Sequence, residues 1–120
     1  MINLRDKELK VVDINESVVA KFVELIRPES LKIREQLDIG YSREGNIYEI
    51  FEICPRWDKP EETINTSFAR IRFYRSKRIW KLYWKRASGK WESYPPLPES
   101  THLEKLLEEI VDDKHACFFG

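Results

Sequence analysis

The chain has 120 residues, which is enough for one domain and little more. A hydrophobic fraction of 42% with four Trp, five Tyr and six Phe can build a packed core, which argues against a disordered body. Lys plus Arg equals Asp plus Glu at 21 each, so no overall basic or acidic excess points to a partner. No apolar run approaches the roughly 20 residues of a membrane helix, and charges come early, at Arg5, Asp6 and Lys7, so a soluble, intracellular (cytoplasmic) protein with no membrane partner is expected. Two cysteines, Cys54 and Cys117, make no disulfide framework.

In chain order, residues 1–14 read as a charged surface arm. Asn15 is the expected cap of a helix from about Glu16 to Arg27, with Val18, Val19, Phe22, Val23 and Ile26 on one side and Pro28 as its stop. From Leu31 to Tyr41 the alternation of Leu31, Ile33, Leu37, Ile39 and Tyr41 predicts a strand. A turn at 42–46 leads to a second strand, Ile47 to Cys54, closed by Pro55. Residues 58–66 read as a polar loop. Three more strands are expected at 68–75, 78–87 and 90–94. Pro95, Pro96 and Pro98 then form a stiff connector to a last helix, capped by Ser100 or Thr101 and carrying Leu103, Leu106, Leu107, Ile110 and Val111. The fold class is therefore α+β: an antiparallel five-stranded meander sheet, with an N-terminal and a C-terminal helix packed on one face.

The charges are balanced in sum and uneven in place. Between Thr66 and Trp91 lie nine Lys or Arg and no acid, a charge of +9, and the other 94 residues carry −9. Seven aromatics share that window. Cations interleaved with flat rings suit phosphates and bases, so nucleic acid or another polyanion is the first expected partner. An acidic protein surface, including the C-terminal helix of a second copy, is the alternative.

Strand parity sharpens this. With Ser76 and Lys77 at the tip of the first central hairpin, Phe73 faces Trp80, Ile71 faces Leu82 and Ala69 faces Trp84, an apolar set for the helix-covered side. With Ser88 and Gly89 at the next tip, Trp84 meets Ser93, Arg86 meets Trp91 and Tyr83 meets Tyr94. The outer face is then expected to carry Arg70, Arg72, Lys81 and Lys85 with Tyr74, Tyr83 and Tyr94 among them, and those seven are the candidate binding residues. Glu52, Arg56 and Glu92 are candidate polar partners. Arg72 opposite Lys81 is unfavourable by a few tenths of a kcal/mol unless an anion lies near.

The runs Phe51-Glu52-Ile53-Cys54-Pro55-Arg56-Trp57, Ala69-Arg70-Ile71-Arg72-Phe73-Tyr74, Trp80-Lys81-Leu82-Tyr83-Trp84 and Lys90-Trp91-Glu92-Ser93-Tyr94, with the ending Cys117-Phe118-Phe119-Gly120, resemble the bacterial family catalogued as domain of unknown function 3024. The family pattern has an acidic residue before the Lys-Trp pair and a histidine after it. Here those places hold Ser88 or Gly89 and Glu92. The resemblance implies a fold, no activity and no cofactor.

No complete catalytic motif is present. A metal-dependent nuclease needs converging carboxylates and a lysine. Glu49 and Glu52 have opposite parity, which leaves Glu52 with Lys81 as the remaining combination. Asp113, His115 and Cys117 alternate as metal ligands do, but no further pair completes a four-ligand site, and docking of the tail into the core is the simpler reading. No catalytic residue and no metal site is assigned, and an enzyme is the less favoured class.

Overall fold

In the computed structural model, which describes residues 14–113 and Phe118, the first helix (α1) runs Ile14–Ile26. Asn15 therefore sits inside the first turn and does not cap it. Val19, Phe22 and Val23 are buried at helical spacing, so α1 presents one apolar stripe to the sheet. The chain leaves α1 through Arg27, whose guanidinium donates two bonds of 2.9 Å to the Asp38 carboxylate and one of 2.8 Å to Glu24. The other end of α1 is also fixed, because Glu16 accepts from the Tyr41 hydroxyl and from Arg43. These two clamps set the helix along the first strand.

Residues 31–34 correct the expected strand. Leu31–Arg34 is one helical turn (α2), with the Ser30 hydroxyl accepting from the Ile33 amide. Leu31 is 73% exposed and Ile33 54%, so neither belongs to a sheet face. The alternation was real only from Asp38 onward. Pro28 and the Ser30 cap outweigh it before that point.

Six strands follow: β1 (Asp38–Glu44), β2 (Ile47–Pro55), β3 (Thr63–Tyr74), β4 (Ile79–Lys85), β5 (Trp91–Ser93) and β6 (Glu99–Ser100), and the second long helix, α3, spans Leu103–Asp112. All strand pairs are antiparallel in the order β1-β2-β3-β4-β5, a meander, with β6 also on β4. The turn expected at 42–46 shrinks to Gly45 and Asn46, with Gly45 at φ +61°. The expected loop at 58–66 is shorter as well. β3 begins at Thr63, opposite Pro55, so β2 and β3 extend together as a long hairpin. Arg56 closes its end by bonding Asp58 twice and Glu62 once, and Trp57 at the tip is 92% exposed.

A bulge divides the β2–β3 pairing. Ile50 faces Ala69, yet Phe51 faces Ser67, so Phe68 is the extra residue. Both Phe68 and Ala69 are buried in the core, as a bulge that re-aims one side chain allows. On the opposite side, the Phe51 ring lies over Gly40, where an added Cβ would sit 2.8 Å from it.

The helices share one face of the sheet. Val19, Phe22, Val23, Leu103, Leu106, Leu107 and Ile110 form a single core with Ile39, Tyr48, Ile50, Ile71, Trp80 and Leu82. The chain after β5 returns to this core. Leu82 accepts from the Tyr94 amide and donates to the Pro98 carbonyl, so Tyr94 and Leu97 tuck in while the chain leaves and rejoins the β4 edge. His102, not Ser100 or Thr101, occupies the cap position of α3, and the Ser100 hydroxyl accepts from the His102 amide. Asp113 ends α3 in the left-handed region and accepts from the Phe118 amide, which seats Phe118 against Tyr94. No helix of the described residues is long and apolar enough to cross a membrane.

Candidate functional site

Side chains alternate along a strand, so the residues between the core positions of β2–β5 face away from the helices. The β3–β4 register is as the parity argument expects: Phe73 faces Trp80, Ile71 faces Leu82, Ala69 faces Trp84, Arg72 faces Lys81 and Arg70 faces Tyr83. Arg70, Arg72, Tyr74, Lys81, Tyr83 and Lys85 thus share the outer face. Among the described residues, the helices contact the sheet from the other side and nothing packs over these six.

The next hairpin differs by one residue. Tyr83 faces Ser93, Trp84 faces Glu92 and Lys85 faces Trp91. The loop has three residues, not two. The Arg86 amide donates to the Lys90 carbonyl, the Gly89 amide donates to the Arg86 carbonyl, and Gly89 takes φ +86°. A turn followed by a left-handed glycine is the standard three-residue hairpin loop. The shift reverses the parity of β5. Trp91, expected inside with Arg86, joins the basic face, and Tyr94, expected among the cations, is fully buried. Tyr94 is therefore not a residue of this face. Gly89 was the signal for the longer loop.

Two clusters occupy the face. In the first, the Arg72 guanidinium lies 4.8 Å and the Lys81 ammonium 4.7 Å from the centre of the Tyr74 ring. The Tyr74 and Tyr83 hydroxyls are hydrogen-bonded at 2.8 Å. Tyr74 pairs with Ile79, and Tyr83 pairs with Arg70 four positions along β3. Four residues of strand span roughly 13 Å, so the hydroxyls meet only because both rings lie down along the sheet. Burial, helped by that bond, pushes the Tyr83 phenol up to about 12, while Arg72 and Arg70 pull it back. In the second cluster the Trp91 ring takes Arg70 at 4.5 Å and Lys85 at 5.7 Å.

The carboxylates neutralise the face only in part. Glu49 reaches Arg70 at 3.4 Å, a long contact, and the buried Nε of Arg70 has no hydrogen-bond partner among the described residues. Glu92 bonds Arg86, away from the clusters. Glu52 follows Tyr48 and Ile50 in parity, on the helix side of the sheet, and does not meet Arg72 or Lys81. The Glu52–Lys81 combination that a nuclease would need is therefore absent. Arg56 is engaged at the hairpin tip by Asp58 and Glu62 and is no partner of Glu52. Lys81 lies opposite Glu99 on β6. Among the described residues no ion pair forms at Arg72, Lys81 or Lys85.

No group of three or more metal-ligating side chains occurs among the described residues. His115 and Cys117 lie outside them, as does residues 1–13 of the expected arm, so neither the alternating set at the tail nor the Cys54–Cys117 spacing has a described geometry. His102 is taken up in the approach to α3, with its Nδ1 at 3.0 Å from the Thr101 hydroxyl. On the opposite side of the molecule a groove of about 580 Å³ runs between α1 and α3, lined by Phe22, Leu25, Leu107 and Val111.

No curated protein and no solved structure matches the chain. The model of the family described as domain of unknown function (DUF3024) matches residues 7–120, and the chain belongs to that family.

Proposed function

We propose that this DUF3024 domain is a small binding module whose open sheet face takes a polyanion, nucleic acid first among them. The observation that carries the reading is the cross-strand pair Arg72 and Lys81. Both sit against one ring, on a face that no described element covers, and among the described residues neither forms an ion pair, although Glu99 lies opposite Lys81 on β6. Like charges in that arrangement repel by a few tenths of a kcal/mol, and a phosphate between them converts the repulsion into attraction. Lys85 and Arg70 extend the positive strip toward Trp91. The neutral net charge does not oppose this, because exposed charges beyond a Debye length of about 10 Å are screened, and the acids of α3 lie across the sheet.

Titration of labelled oligonucleotides at about 50 mM salt tests the proposal. Binding in the low micromolar range or tighter is expected, weakening steeply as salt is added. Arg72→Ala with Lys81→Ala is expected to weaken it at least about tenfold, by loss of two phosphate contacts. Absence of binding, or binding that ignores the double substitution, removes the reading.

A second reading rests on a different observation. Glu104, Glu108 and Asp112 are exposed at four-residue spacing on α3, which gives a second copy an acidic stripe to offer the basic face. That reading calls for self-association at low salt which dissolves at high salt. A strict monomer by light scattering at low salt eliminates it.

A further inference from the structure

We infer that the ligand of this face is single-stranded nucleic acid, held by base stacking on the outer rings as well as by phosphate contacts. The inference rests on the proposed polyanion reading and narrows it. Three rings stand among the cations, Tyr74, Tyr83 and Trp91 on three successive strands, with Phe51 on the strand before them. The Tyr74 and Tyr83 hydroxyls meet, so the two rings lie end to end along the sheet, and the Tyr74 ring already carries Arg72 and Lys81 over it. Trp91 is held by Arg70 and Lys85, which brings cations within phosphate reach of any base stacked on the indole. Tyr83 carries no such cation among the described residues, and both of its neighbours along β4 on this face, Lys81 and Lys85, are cations. Ring and cation thus alternate along β4 and in the cross-strand pairs Arg70–Tyr83 and Lys85–Trp91, at a spacing set by the strands, near 5 Å between them and near 7 Å along them.

A duplex has little use for that arrangement. Its base faces are already stacked on one another, and its outside presents sugar and phosphate, which would press against the rings and strip them of water with no compensating contact. A single strand offers Tyr83 and Trp91 a base and each neighbouring cation a phosphate. A base-free polyanion offers only the second half. The four cations also bound the electrostatic share of binding, with a logarithmic salt slope no steeper than about −3 for a single strand. The rings must then supply the rest.

The experiment compares four probes of matched length or charge with the intact chain at one salt concentration: oligodeoxythymidylate, oligouridylate, a self-paired DNA hairpin and inorganic polyphosphate. At least one of the single strands is expected to bind about tenfold or more tightly than both the hairpin and the polyphosphate. Trp91→Ala is expected to reduce single-strand binding about tenfold and leave polyphosphate binding within about twofold, while Trp91→Phe, which keeps a ring, retains most of it. A 5-iodouracil-substituted strand, photo-crosslinked to the unaltered protein and mapped by mass spectrometry, reads the same contact without substitution. Crosslinks at Trp91 or Tyr83 support the inference, and crosslinks only at Trp57 overturn it. Polyphosphate or hairpin binding as tight as the single strands overturns the stacking inference and leaves the polyanion reading standing. No binding by any probe overturns both.

Discussion

The hydroxyl pair Tyr74–Tyr83 gives the face its most distinctive chemical signature. An ordinary tyrosine ionises near pH 10, and Tyr83 is held up to about 12. The folded state therefore keeps a proton that the unfolded chain releases. The stabilisation is fully present below pH 10 and is lost as pH rises toward 12. An absorbance titration of the phenolates is expected to show a late component that Tyr83→Phe diminishes, and the decline in stability over that interval should become shallower in the same variant. At the acid end the sign reverses for Asp38. The Arg27 guanidinium holds its carboxyl below the usual range, so its contribution is present above about pH 4 and is lost as pH falls through the depressed value. Asp38→Asn is expected to flatten the acid limb of a denaturation curve and to loosen the α1–β1 clamp.

At the scale of elements, the turns carry the information that decides the face. Gly89 at φ +86° lets the β4–β5 loop close in three residues, and Gly89→Ala is expected to destabilise by about 1 kcal/mol, measured by chemical denaturation. Arg78 adopts φ +51° without being glycine, so Arg78→Gly is expected to stabilise by roughly 0.5–1 kcal/mol despite the added chain entropy. In the core between the helices and β4, Leu82→Ala is expected to cost about 2–5 kcal/mol. These same turns explain how much could be read from residues alone. The β3–β4 register was legible because apolar residues fall on one parity throughout, from Ala69 to Phe73 and from Trp80 to Trp84. The β4–β5 register was not. A two-residue tip and a three-residue loop both leave plausible pairs, and only the backbone angle of Gly89 separates them. Leu31 and Ile33 mimicked a strand because period two and a single helical turn cannot be distinguished over four residues. The β6 pairing of Glu99 and Ser100 depends on where three prolines send the chain, which local patterning does not encode.

For the whole molecule, the separation of charge by side is what the proposed binding role rests on. Helices with exposed Glu104, Glu108 and Asp112 cover one face, and four cations with three rings occupy the other. The composition hinted at this through its acid-free window, but four of the nine cations in that window reach the outer sheet face, because Arg75, Lys77, Arg78, Arg86 and Lys90 lie in or beside the hairpin turns. The most direct measurement is a nuclear magnetic resonance titration of the labelled protein with a short oligonucleotide at low salt. The account expects shifts concentrated at Arg70, Arg72, Lys81, Tyr83 and Lys85, with the Trp91 indole signal moving and that of Trp80, 4% exposed beneath the helices, still. Shifts centred on α1 and α3, or a spectrum unchanged at saturating oligonucleotide, contradict it.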